Sequence, residues 1–480
     1  MSDLRDIRGS CASEGSKDDV RGRTWRGILV SALVVIVAII AAGCSGSSSV
    51  STTSTSPSST TSGGATSSTT AVGEAGVPTC PSNLAQGSPG VTSNSISVAA
   101  ISTESGPLAA NFGAMVTGVQ AYFDYINAQG GINGRKLALA NNLDDQGNPS
   151  QYSQLVHTAV DQDRAFGLVG VATPFFAPGY LGETCTPTYG YNVTGNWAGP
   201  PNLYSTGGTA LYYPEIPYYI AYLMKRIHVT SFATLSYGIA ASSDACSAAN
   251  AGLSNAGLTQ AYTDLSAPYG GNLSPDVQRI KSSNAQLVIS CMDITDNIAL
   301  ARDLKQYGVN TKQYWLNGSD QSTITNYGSL IQGIYFGIAH VPLTAPAAYY
   351  PGMATYLAAM RKYAPTYVGD DLAIQGWASA ALFAQGVKNA GSDLTQANVV
   401  KQDNLLSSWT ANGLYFPIDW ATSHTTATTF CEAYIQVQGT KYVSVLGQGH
   451  QVFVCFDINK SDPTPKNPTP ATPPSGTPGT

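Results

Sequence analysis

Two hydrophobic rhythms alternate along most of the chain. From Ile96 to Ile101 apolar residues run together without a helical period and stop at Thr103, Glu104, Ser105, Gly106 and Pro107, which predicts a buried strand closing in a turn. Met115, Val116, Val119, Tyr122, Phe123 and Ile126 then recur at three- and four-residue spacings, predicting an amphipathic helix that Gly130 and Gly131 stop. Lys136 to Leu143 alternates and turns apolar again. Strand, turn, helix, turn, strand is a βαβ unit, and such units build parallel sheets.

The same alternation continues downstream. Ser153 to Val160 is helical in pattern. Phe166 to Val171 reads as a strand ending in Ala172, Thr173 and Pro174, and a helix should begin between Phe175 and Thr186. Tyr189 to Val193 reads as a further strand, ending in Thr194, Gly195, Asn196 and Trp197. A second set follows: Phe232 to Leu235 before Ser236-Tyr237-Gly238, Leu287 to Ser290 before Cys291-Met292-Asp293, and Gln313 to Leu316 before Asn317-Gly318-Ser319-Asp320. Two such sets predict an α/β protein of two lobes. Long helices return between Tyr349 and Ala390, and Cys431 to Phe456 alternates Tyr, Val, Ile and Phe as strands do.

Three stretches, SGPLAANFG, GVQAYFDYINAQGGINGRKL and LDDQGNPSQ, resemble the opening of the branched-chain-amino-acid (Leu/Ile/Val-binding) type of ABC transporter substrate-binding protein. The resemblance runs from about Ser95 to about Trp420. It implies the type I periplasmic-binding-protein (Venus-flytrap) fold: two lobes, each a parallel sheet flanked by helices, joined by hinge crossings near Tyr212, Val341 and Ala421. Residues 78–212 with 342–421 would then form lobe 1, and residues 213–341 with 422–458 lobe 2.

In open parallel sheets ligands bind beyond the carboxyl ends of the strands. In lobe 1 that rule selects Ser105, Phe112, Thr173, Pro174, Asn196 and Trp197. The resemblance gives the loop holding Thr173 the task of meeting a ligand carboxylate with backbone and hydroxyl groups. Trp197 serves equally well as a core aromatic. In lobe 2 the resemblance implies that Tyr237 closes over the ligand and that Asp293 and Asp320 stand where an ammonium group is met. Either aspartate also suits a helix N-cap. Asp144 and Asp145 look like a carboxylate pair but read as turn and cap residues before the helix at Pro149.

Composition narrows the setting. The 480 residues are 43% hydrophobic and 11% charged, with a net charge of −6. Without Met1 to Gly43 the balance is about −7, and no basic block offers a surface to nucleic acid. Arg21, Arg23 and Arg26 precede the apolar stretch Gly27 to Ala42, which ends in Ala41-Ala42-Gly43-Cys44. This reads as a lipoprotein signal peptide over residues 1–43, with Cys44 lipidated and the protein held outside the cytoplasm. An uncleaved anchor with a bystander Cys44 is the alternative. Residues 44–77 form a Ser/Thr-rich tether and residues 459–480 a Pro-rich disordered tail.

Past Cys44 six cysteines remain: Cys80, Cys185, Cys246, Cys291, Cys431 and Cys455. They allow fifteen pairings. Cys431 with Cys455 flanks a strand pair, Cys246 and Cys291 both sit just past strands of one lobe, and Cys80 with Cys185 is left. His157, His228, His340, His424 and His450 show no metal spacing, and no cofactor or catalytic motif occurs. The expected function is therefore capture of a small polar ligand, an amino acid or a related amide or acid, for an ABC permease. A ligand sensor or partner-binding regulator on the same fold, without transport, is the alternative.

Overall fold

The computed structural model describes residues 71–72, 76–206, 212–425, 429–447, 450–457 and 465–466. The signal segment, Cys44, most of the tether and nearly all of the tail lie outside them.

A short antiparallel pair, β1 (Ala71–Val72) and β2 (Pro78–Thr79), precedes the first lobe. That lobe is built from β3 (Ser95–Ser102), α1 (Met115–Ala128), β4 (Lys136–Asp144), α2 (Pro149–His157), β5 (Leu168–Val171), α3 (Gly179–Thr184), β6 (Thr188–Gly190) and β7 (Leu203–Ser205). Its five strands are all parallel, in the order β4-β3-β5-β6-β7. Alternate side chains of β3 serve opposite faces: Ile96 and Val98 pack with Val119 and Phe123 of α1, while Ala99 and Ile101 pack with Tyr152 and Val156 of α2.

The second lobe follows with α4 (Tyr212–Arg226), β8 (Ser231–Leu235), α5 (Ala240–Asn255), β9 (Thr259–Asp264), α6 (Ser274–Ser283), β10 (Leu287–Ser290), α7 (Ile294–Gln306), β11 (Lys312–Trp315), α8 (Gln321–Tyr327) and β12 (Tyr335–Ile338). Leu287 and Ile289 join the core beneath α4 and α5, and Val288 between them joins the core beneath α6 and α7. The chain then returns to lobe 1 as α9 (Pro351–Tyr363), α10 (Asp371–Ala390) and α11 (Gln396–Asn404). It comes back to lobe 2 as β13 (Thr429–Gln438), β14 (Lys441–Ser444), β15 (Phe453–Asp457) and β16 (Pro465–Lys466).

The chain therefore passes between lobes three times: after Thr206, after Ile338 and between Asn404 and Thr429. The lobe 2 sheet is mixed, which corrects the wholly parallel expectation. Its β9-β8-β10-β11-β12 portion is parallel, and β13 adds antiparallel to β12, with β14 and β15 antiparallel to β13. The physical reason is the connection: β13 to β15 follow one another without a helical crossover, so they pair as hairpins.

Close approach of α10 to α1 fixes the far side of lobe 1. A Cβ on Gly118 would overlap the Ala373 carbonyl, and one on Gly376 would overlap that of Met115, so only glycine admits this crossing. Three disulfides join Cys80 to Cys185, Cys246 to Cys291 and Cys431 to Cys455. Cys246 lies within α5 rather than at a strand end, and its bond ties that helix to the residue following β10.

Polar groups join the lobes beside the second crossing. Asp320, before α8, accepts from the Asp371 N–H at 2.6 Å, and Gln321 N donates to the Gly369 carbonyl at 3.1 Å. His340 Nε2 lies 2.8 Å from the Asp371 carboxylate. Asp370 caps α10 by accepting from Ala373 N at 3.0 Å. Burial, then the charge of Asp371, raises its pKa from 3.8 to about 6. Burial, followed by Asp370 and Asp371, also holds Asp320 well above its ordinary value.

A carboxyl whose folded pKa is raised binds its proton more tightly when folded. Its contribution to stability is full below 3.8 and is lost as pH rises through about 6. Asp370→Asn keeps an N-capping side chain and removes this group. Urea unfolding should then show the variant more stable than the parent at pH 7 by about 1–3 kcal/mol, with little difference at pH 3.5. Parallel loss of stability in both proteins across that range would contradict the assignment.

Candidate functional site

Strand ends from both lobes converge on one cleft. β5 and β6 deliver Pro174 and Tyr191 from lobe 1, and β8 and β10 deliver Tyr237 and Asp293 from lobe 2. Tyr269, in the loop after β9, reaches across to lobe 1 and donates its hydroxyl to the Pro107 carbonyl at 2.5 Å.

The cleft holds two small cavities that share Tyr191. The outer one, of about 60 Å³, lies between Phe112 and Pro174 on one side and Tyr237, Met292 and Asp293 on the other. The inner one, of about 70 Å³, runs toward the hinge between Asp371 and Gln375 of α10 and Ser319 and Glu432 of lobe 2. Both are well below the roughly 300–1,000 Å³ of most small-molecule pockets, in keeping with lobes that touch across the mouth.

The chemistry concentrates on lobe 2. Asp293 is the N-cap of α7, its Oδ1 accepting from Asp296 N at 2.9 Å. The Tyr237 hydroxyl lies 2.9 Å from Asp293 Oδ1 and 2.7 Å from Asp296 Oδ2, and its one proton can serve only one of them at a time. Gly270 N also donates to Asp296 Oδ2, at 2.9 Å. Burial first, then the Asp293 charge, pushes the Tyr237 phenol far above its ordinary value, so it remains a donor. Both aspartates are 2% exposed. Among the described residues Asp293 Oδ2 has no hydrogen-bond partner, and neither carboxylate has a Lys or Arg at ion-pair distance. In the inner cavity, burial and then Asp371 hold the Glu432 carboxyl well above its ordinary range.

Of the residues selected from sequence, Phe112, Pro174, Tyr237 and Asp293 come together on the outer cavity. The others do not line either cavity. Ser105 is exposed on the rim, its N–H directed to Asp144 Oδ1 at 3.3 Å. Thr173 is buried and donates to Asp145 Oδ2 at 2.5 Å. Asn196 donates to the Phe176 carbonyl at 2.9 Å. Trp197 is fully buried and stacks on Phe176 with ring centroids 4.0 Å apart, making it a core aromatic rather than a cleft wall. Asp320 belongs to the joint between lobes, held by Asp371 N.

Asp145 accepts from Thr103 and from Gly147 N as well as from Thr173, and Asp144 accepts from three backbone N–H groups, so both are turn residues. The cap of α2 is Asn148. Asp296 and Glu432 lie outside the residues that the strand-end rule selects. Asp296 was legible as the acid three residues after an N-cap aspartate, and Glu432 as the one charged side chain in an otherwise uncharged strand.

Similarity to known proteins follows the same outline. The chain is 26% identical over 318 residues to a Leu/Ile/Val-binding protein homolog 3 from Brucella melitensis, covering 64% of this chain and 82% of that one. A fatty acid ABC transporter substrate-binding protein from Thermomonospora curvata superposes with a TM-score of 0.65 at 15% identity, over 78% of this chain and 96% of that one. A branched chain amino acid ABC transporter from Thermus thermophilus with bound valine gives a TM-score of 0.62 at 15% identity, over 74% and 96%. A solute-binding protein from R. palustris in complex with benzoate gives 0.61 at 16% identity, over 75% and 98%. The profile of the periplasmic binding protein family matches residues 95–441, most of the chain and both lobes, and the chain belongs to that family.

Proposed function

We propose that this protein is an extracytoplasmic, lipid-anchored binding protein that captures a small ligand between its lobes and presents it to an ABC permease. The observation that carries this reading is the cleft, where strand-end loops of both lobes meet around a buried carboxylate oxygen of Asp293 that has no partner among the described residues. Such a site recognises rather than reacts: its polar lining is Asn111, Tyr191, Tyr237, Ser242, Asp293 and Asn317, and its one aliphatic hydroxyl, Ser242, donates to the Cys291 carbonyl rather than to a base. Capture proceeds by binding to one lobe and hinge closure about the three crossings, biased by contacts made only in the shut form. Membrane attachment rests on Cys44 behind its apolar segment. Among the described residues no helix is long and apolar enough to cross a membrane.

Two experiments test the reading. A thermal-shift screen across amino acids, amides, aromatic acids, amines and sugars should find a compound that raises the melting temperature by roughly 5 °C at a hundredfold excess over its Kd. Tyr237→Ala should abolish that shift and Asp144→Ala should not. No shift across the panel would favour a partner-binding role without ligand capture. Cells grown with labelled palmitate should incorporate it into the protein, and Cys44→Ser should lose the label and leave the membrane fraction. Retained label in the variant would remove the anchor assignment.

A further inference from the structure

Lobe 1 presents an apolar wall to the outer cavity. Leu108, Phe112, Pro174 and Val193 form most of its side, and Pro174 has no N–H to offer. Apart from the Asn111 amide, the hydroxyl and backbone donors of these strand-end loops are directed within the protein, most of them at its own acids. Thr103 and Thr173 donate their hydroxyls to Asp145, Glu104 and Ser105 donate their N–H groups to Asp144, and Phe175 N donates to Thr173 Oγ1. Among the described residues no Lys, Arg or His lines either cavity, whereas Asp293 and Asp371 do. A ligand carboxylate would be desolvated without a cation and set beside acidic groups, which is strongly unfavourable.

The opposite wall has the reverse need. Asp293 and Asp296 are withdrawn from water and share the Tyr237 proton; the Tyr269 hydroxyl stands near Asp293 but is directed at the Pro107 carbonyl, and Asp293 Oδ2, on the residue that lines the cavity, accepts no hydrogen bond among the described residues. A cationic donor would satisfy that oxygen with a charge-assisted hydrogen bond and offset both buried charges.

From these two walls, and resting on the receptor reading above, we infer that the cleft selects small organic cations with an apolar body, such as primary alkylamines, and excludes compounds bearing a free carboxylate. The chain thereby departs from what its resemblance to amino-acid receptors implies. The apolar body packs on Phe112 and Pro174 and the ammonium group meets Asp293.

Three probes carrying the same isobutyl group test this by calorimetry on the purified protein: 3-methylbutylamine, L-leucine and 3-methylbutanoate. The amine should bind at least about tenfold more tightly than leucine, and 3-methylbutanoate should give no heat of binding. Asp293→Asn, which keeps a capping side chain on α7, should weaken the amine by about tenfold or more. Pro174→Ser, which restores an N–H and adds a hydroxyl on the lobe 1 wall, should narrow the preference for amine over leucine. Leucine or 3-methylbutanoate binding as tightly as the amine, in a manner abolished by Tyr237→Ala, overturns the ligand class and leaves the receptor reading standing. An amine that fails to bind, or that binds Asp293→Asn undiminished, also overturns the class. A panel-wide absence of any thermal shift overturns the receptor reading itself.

Discussion

A carboxylate removed from water needs a compensating partner, and the cleft holds two, Asp293 and Asp296, that share the proton of Tyr237. The fold makes this arrangement rigid rather than incidental. Asp293 is fixed by its duty as the cap of α7, Tyr237 by the turn after β8, and the short link from β10 to Asp293 by the bond from Cys246 in α5 to Cys291. Ser242 reinforces it, accepting from Tyr237 N at 2.9 Å and donating to the Cys291 carbonyl at 2.7 Å. A chain with only 11% charged residues, and no cation beside these acids among the described residues, leaves the charge to be met from outside.

Relief of that charge and movement of the lobes are coupled by geometry. The outer cavity has Asp293 on lobe 2 and Phe112 and Pro174 on lobe 1, so in the proposed capture a ligand that meets the first is desolvated only when the second swings against it. The contacts that accompany closure differ in kind. Tyr269 to Pro107 is a single hydrogen bond at the exposed mouth, whereas the cluster of Asp320, His340, Asp370 and Asp371 sits beside the crossing itself. Asp320 and Asp370 thus carry the pH-sensitive part of the joint, and in the proposed capture the mouth is the part that ligand contacts bias.

Much of the fold was legible because its strands are buried on both faces. Ser95–Ser102 and Leu287–Ser290 read as uninterrupted apolar runs, and helices such as Asp371–Ala390 carried the longer period. The edge strand Thr259–Asp264 is silent in the sequence because TQAYTD leaves every residue at least partly exposed and carries almost no hydrophobic signal. The helix expected after Phe175 shrank to Gly179–Thr184, since Pro174 and Pro178 delay its start. In the site, strand-end logic found Phe112, Pro174, Tyr237 and Asp293 but could not tell which neighbours turn inward. Thr173 and Trp197 both follow strands, yet Asp145 draws the first away and Phe176 stacks on the second. Those are contacts between distant residues, which local pattern does not encode.

Capture between two lobes requires that they close on the ligand. Spin labels at the exposed positions Gln129 in lobe 1 and Gln278 in lobe 2 report their separation directly by dipolar spectroscopy. Two populations are expected, the shorter gaining when a compound that raises the melting temperature is added. A single separation, unchanged at saturating concentrations of such a compound, would contradict closure about the cleft.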